Sequence, residues 1–192
     1  MIRVSGEWTL TLCEKMNPDE ANARFVLGKL SSDAIVRLAN QWIDSGLYTE
    51  SLGELCVIKS PVMSEVGPLF ASAMKALMIS CPGRLEAAML LVRVAMERVS
   101  SGCATPVEEA EFLYWKVHHE VSDINPDKEY VGDSLGLESV FCWLREIWDC
   151  RDGSMILYHT DMPRQEAEKK FIEHLKEAAA EWLDKNTQQA AT

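Results

Sequence analysis

A run of twenty residues, Gly83 to Gly102 (GRLEAAMLLVRVAMERVSSG), constrains the fold of this chain more than any other stretch. On a helical wheel its apolar residues cover nearly the whole circumference, from Leu85, Ala87 and Ala88 through Leu91, Val92 and Ala95 to Met96 and Val99. The polar residues of its middle, Glu86, Arg93 and Glu97, are seven and four apart and so share one narrow stripe. A helix apolar almost all round has to be enclosed by other elements. Twenty helical residues measure about 30 Å, enough to cross a small domain. The buried faces hold no group suited to chemistry, so this helix reads as scaffold.

The rest of the chain supplies its neighbours. Asn17-Pro18-Asp19-Glu20 reads as a helix start, with proline in the first turn and acids at the positive end of the dipole, running to about Leu30. Ser31-Ser32-Asp33 opens a second helix that Gly46 stops, with Ile35, Leu38, Ala39, Trp42 and Ile43 at helical spacing. A short helix from about Glu50 to Ile58 follows, then one from Pro61 to Ile79 in which Gly67-Pro68 marks a kink or a boundary. Thr105-Pro106-Val107-Glu108 has the residues of a capping box ahead of a helix to about Val121. A polar loop, 123–134, leads to a helix from Leu135 to about Cys150. Ser154–Thr160 reads as a short strand or a buried extended run, and Asp161-Met162-Pro163 starts a last amphipathic helix. Before all of these, Trp8, Leu10 and Leu12 alternate with threonines, as in an extended segment, while residues after 185 should fray. About seven helices with short connections predict one all-α domain over 1–192, an irregular multi-helix bundle, with stacked helix pairs as the alternative.

Composition narrows the class. Hydrophobic content of 47% and charged content of 26% are those of a globular protein. No apolar run approaches the roughly 20 residues that cross a bilayer. The first residues lack the basic-then-apolar layout of a signal peptide, so a cytoplasmic protein without a membrane segment is expected. Six cysteines without a CxxC pair read as reduced core or near-surface thiols rather than a zinc site or disulfide framework. The net charge of −11 is regional: residues 105–152 hold twelve acidic and four basic side chains, net −8, whereas residues 1–104 are net −1. Proteins that grip nucleic-acid backbones carry the opposite sign, so direct nucleic-acid binding is not expected.

Few residues suggest catalysis. Asp123, Asn125, Asp127 and Glu129 have the spacing of the first, third, fifth and seventh positions of a calcium loop. Lys128, however, stands where glycine is needed and Ser134 where a bidentate glutamate is. The loop therefore reads as solvated and acidic, and no metal or cofactor is expected. His118 and His119 point about 100° apart on a helix and do not chelate one ion together, and Glu111 shares the heptad position of His118. No nucleophile elbow, phosphate loop or zinc-protease motif is present, and no catalytic residue is assigned. The acidic region is interleaved with Tyr114, Trp115, Tyr130 and Trp143. Glu108, Glu109, Glu111, Trp115, Glu120, Asp123 and Asp127 are accordingly the candidate contact residues for a basic protein partner. Their charge would speed association and the aromatic rings would anchor it. Two alternatives stand beside this non-catalytic reading: a metal-dependent or hydrolytic enzyme using His118 and His119, and a structural subunit of a homo-oligomer.

The run RLANQWIDSGLYTESLGELC, residues 37–56, followed by VGPLFASAMKALMI and the aliphatic helix ending at Gly102, resembles a group of small bacterial all-helical proteins. In them a tryptophan–glycine helix end precedes a short leucine-rich helix and then a helix of the type v-x-x-L-F-x-x-A-L. Trp42, Gly46, Leu52, Leu55, Val66, Leu69, Phe70 and Leu77 fill that pattern, which covers about a third of the chain. The resemblance implies an all-α fold and a bacterial origin, and it transfers no catalytic residue. Some proteins of this kind look like immunity or other partner-binding proteins of bacterial competition systems. The pattern stops before the acidic segment at 105–152.

Overall fold

The computed structural model describes residues 16–102 and 105–189, with side chains to residue 187. The expected extended segment at Trp8, Leu10 and Leu12 lies outside these residues. Among the described residues the chain is helical, without strands. The helices are α1 (Pro18–Val26), α2 (Ser32–Asp44), α3 (Glu50–Cys56), α4 (Met63–Ala76), α5 (Arg84–Ser100), α6 (Pro106–Phe112), α7 (His119–Val121), α8 (Glu138–Asp152) and α9 (Arg164–Gln189). A π-helical segment, Leu113–His118, joins α6 to α7, and a single 3-10 turn, Asp133–Leu135, precedes α8.

Side-chain caps fix three of the helix starts. Asn17 Oδ1 accepts from Glu20 N at 2.8 Å, Ser31 Oγ from Ala34 N at 3.2 Å and Thr49 Oγ1 from Leu52 N at 3.2 Å. The capping box expected at Thr105 does not form, since Thr105 turns to ψ 55° and its side chain makes no cap hydrogen bond. A glutamate instead reaches back at the start of α5, where Glu86 Oε2 accepts from Gly83 N at 3.3 Å. Gly67-Pro68 does not divide α4. Pro68 deprives only Ser64 of a helical donor, and Ser64 is exposed to water at the first turn.

Buried side chains form two clusters. Helices α2, α3 and α4 enclose the first, built from Ile35, Leu38, Trp42, Leu52, Leu55, Val66 and Phe70. Helices α5 to α9 enclose the second and larger one. Helix α1 belongs to both, giving Ala21 to the first and Ala23 and Leu27 to the second. As its sequence demands, α5 lies inside: α1, α6, the π-helical segment, α7 and α9 all pack on it. Glu86, Arg93 and Glu97 are exposed along one stripe, and Arg84 and Leu85 are exposed at the start of the helix.

Several boundaries differ from the sequence reading: α1 ends at Val26 rather than about Leu30, and α4 spans Met63–Ala76 rather than Pro61 to Ile79. Helix α8 begins at Glu138 rather than Leu135, because Gly136 takes φ +69° and ends the preceding turn. Ser154–Thr160 is neither a strand nor a buried run. Ile156 is its only buried residue, and the Leu157 N–H bonds the Glu146 carboxylate at 2.9 Å instead of a neighbouring strand. Helix α9 continues through residues 186–189, which were expected to fray. No described helix is long and apolar enough to cross a membrane.

Candidate functional site

Helical periodicity puts Glu111 and His118 on one face. The π-helical segment between them changes this, because each residue turns the chain less than in an α-helix. Leu113, Val117 and His118 point into the core, while Trp115 and Lys116 face out. Such segments are rare and occur often at functional sites. Trp115 is 54% exposed. Its ring stacks on His119 (6.0 Å, 25°) and on Trp148 of α8 (5.8 Å, 28°), and Tyr114 meets it edge-on at 4.7 Å. The Trp148 indole N–H donates to Glu111 Oε1 at 2.8 Å, so a carboxylate fixes the base of the stack. Of the other two aromatics in the acidic region, Tyr130 is exposed on the 123–134 loop and Trp143 packs elsewhere, against Phe171 and His174.

The expected acidic contact residues separate into groups. Glu108 is exposed and Glu111 half-buried, both on α6 ahead of Trp115. Glu109 lies 3.7 Å from Arg98 of α5. Burial pushes its carboxyl above the ordinary glutamate range, against the pull of Arg98 and Arg24. Glu120 pairs with Lys29, in the α1–α2 connection. Asp123 takes both forks of Arg84 at 2.9 and 3.0 Å, and Arg84 also donates to the Glu120 carbonyl. The Arg84 hydrogen bond holds the Asp123 carboxyl below its usual range. Thus Glu109, Glu120 and Asp123 are answered by cations from the α1–α2 connection and α5, and they tie the acidic segment to the rest of the fold.

The 123–134 loop uses its carboxylates on its own backbone. Asp127 accepts from Gly132 N at 3.0 Å and Ser134 N at 3.3 Å, and contacts His118 Nε2 at 2.8 Å. Burial pushes the Asp127 carboxyl up, but Ser134, the Gly132 N–H and the nearby His118 outweigh it and hold it low. Asp133 accepts from the N–H groups of Glu129, Lys128 and Tyr130, which lower it likewise. His118 is 5% exposed and its Nδ1 is buried without a partner. Among the described residues no three His, Cys, Asp or Glu side chains are arranged to hold a metal ion.

A second ring cluster lies across α8 and α9. His159 Nε2 and His174 Nε2 face each other at 3.2 Å, and His174 Nδ1 meets Glu177 Oε2 at 3.0 Å. Trp143 packs on His174 with ring centres 4.7 Å apart, and Phe171 on His159 at 5.6 Å. The spacing of His174 and Glu177 was readable on α9; the approach of His159 from the 153–163 connection was not. Comparison of the chain with protein-family models, curated proteins and solved structures found no match.

Proposed function

We propose that this chain is a non-catalytic protein-binding protein whose contact surface centres on Trp115. The exposure of that indole, held in a stack with His119 and Trp148, carries the reading. Tryptophan is among the residues that dominate binding energy at interfaces. A ring already held by its neighbours also loses little freedom when a partner covers it. Glu108 and Glu111 stand beside it, and Asp152 is one turn beyond Trp148 on α8. The Ser154 hydroxyl and N–H keep the Asp152 carboxyl below its ordinary range, so it is charged at neutral pH. Carboxylates at the rim of an aromatic contact favour a basic protein and raise its association rate.

A protein that masks a basic effector in the cytoplasm, as bacterial immunity or antitoxin proteins do, fits this charge and the resemblance of residues 37–79. Of the two histidines of the hydrolytic alternative, His118 is 5% exposed with Nε2 against Asp127, whereas His119 is exposed beside Trp115. The test is affinity capture of a basic protein by the tagged chain from native lysate at low salt. Recovery should be lost with Trp115→Ala and weakened by Glu108→Lys. Recovery that Trp115→Ala leaves unchanged, or no partner for the unaltered chain, refutes the proposal. Light scattering at the same step detects a second copy in the partner's place.

A further inference from the structure

We infer a second site, independent of the Trp115 face: His159 and His174 form a two-histidine site for a divalent late transition-metal ion such as Zn²⁺. Their imidazole planes agree within 5° and their centres are 5.5 Å apart, which places both centres and both facing Nε2 atoms on one line. Two ring nitrogens 3.2 Å apart cannot both carry hydrogen toward each other. They share one hydrogen or they share one cation.

Glu177 settles the state of His174. A carboxylate only accepts, so His174 Nδ1 carries a hydrogen and, in the neutral ring, Nε2 keeps its lone pair toward His159. A carboxylate behind a histidine, fixing its tautomer and aiming the far nitrogen, is the outer shell typical of histidine metal ligands. Without metal, His159 donates its Nε2 hydrogen into the pair. With metal, that hydrogen moves to His159 Nδ1, which has no hydrogen-bond partner among the described residues and is not sealed from solvent. The ring stays neutral and both Nε2 lone pairs meet the ion.

The spacing already suits this exchange. Two Zn–N bonds of about 2.0–2.1 Å at a tetrahedral angle put the nitrogens about 3.3 Å apart. The nitrogens therefore stay in place while each ring tilts by about 35° off the common line. His159 stands in an irregular connection with φ +51°, a conformation uncommon outside glycine and frequent at functional sites. The His174 side chain is 31% exposed, which leaves room for water at the remaining positions. Trp143 and Phe171 wall the pair on its inner side. Imidazole ligands select zinc, copper and nickel over magnesium and calcium.

Calorimetric titration of the chelator-treated chain with Zn²⁺ at pH 7.5 tests this. One ion per chain is expected, with Ca²⁺ and Mg²⁺ giving no binding. His159→Gln and His174→Gln should each weaken Zn²⁺ at least tenfold, and Glu177→Gln about tenfold or more, as loss of an outer-shell carboxylate does elsewhere. His119→Gln, outside the pair, should leave Zn²⁺ binding unchanged. Zn²⁺ should also shift the ring proton resonances of His159 and His174 in the unaltered chain, a readout that needs no variant to fold. Absence of Zn²⁺ binding overturns the inference, and so does binding that leaves those resonances unmoved or that survives both histidine substitutions.

Discussion

Arg98 of α5 grips Glu20 of α1 with both ends of its guanidinium, at 3.1 and 2.7 Å, and Glu20 is 1% exposed. Arg24 reaches the same carboxylate from within α1, Nε to Oε1 at 3.0 Å, while its guanidinium lies 4.3 Å over the ring of Phe112. A carboxylate so deep is tolerable because each of its oxygens accepts a charged hydrogen bond. Glu20→Ala leaves buried cations without it and is expected to cost about 3–5 kcal/mol in urea unfolding. A loss under about 1 kcal/mol would show the cluster to be solvated.

Glu109, beside the same arginines, should behave in the opposite sense. Burial raises its folded pKa, so the charged form is disfavoured in the fold, and stability from this group is lost as pH rises through that value. Glu109→Gln is therefore expected to be neutral or stabilising at pH 7, by about 1 kcal/mol or less after solvent screening. The difference should shrink as the pH falls and the native glutamate takes up its proton. Paired denaturation curves at pH 7 and pH 4.5 measure this.

The parts of the fold legible in the sequence are those written in local pattern. The stripe of Glu86, Arg93 and Glu97 oriented α5 correctly, and Asn17 caps its helix through its own side chain. The acidic face was harder to read because its partners are remote. Lys29 meets Glu120 across 91 positions and Arg84 meets Asp123 across 39, so counting charges within 105–152 overstated what remains exposed. Trp115 was legible as an aromatic among acids; its stack with Trp148 was not. No residue type announces a π turn, and periodicity therefore placed Glu111 beside His118.

Asp127 organises the 123–134 loop from inside. Asp127→Ala removes the acceptor of two backbone N–H groups and of His118, and should cost about 2–4 kcal/mol. Asp127, Asp133 and Asp123 all have lowered folded pKa values. Their stabilisation is present above the unfolded aspartate pKa of about 3.9 and is lost as pH falls through the folded values. Stability should hold from pH 7 to about 5 and fall steeply below about 4. Asp127→Asn should flatten that fall, and an unchanged acid limb would assign it to other groups.

Gly132 allows the same loop to close on the core. It takes φ +90°, and a Cβ there would lie 2.5 Å from a ring carbon of Phe141 and 3.2 Å from the Leu137 backbone. Phe141 is 5% exposed and has little space to retreat. Gly132→Ala should destabilise by about 2–4 kcal/mol through strain and overpacking together. Gly28→Ala, with φ +67° but nothing within 4 Å, should cost about 1–2 kcal/mol and separates the two effects.

Between Phe112 and His119 the helix contains one residue more than an α-helical count requires. Deleting one residue of 113–118 would let the helix close to α register with His119 onward facing as before, because six α-helical steps of about 100° turn the chain about as far as the seven smaller π-type steps do. Glu120 and Asp123 would stay with Lys29 and Arg84, while the side chains of 113–118, Trp115 among them, would be dealt out to different faces. The Trp115 face is therefore a matter of chain length as much as of residue identity. Among chains of this kind, an insertion or deletion of a single residue in that segment, rather than a change of side chain, would separate those that present the face from those that do not.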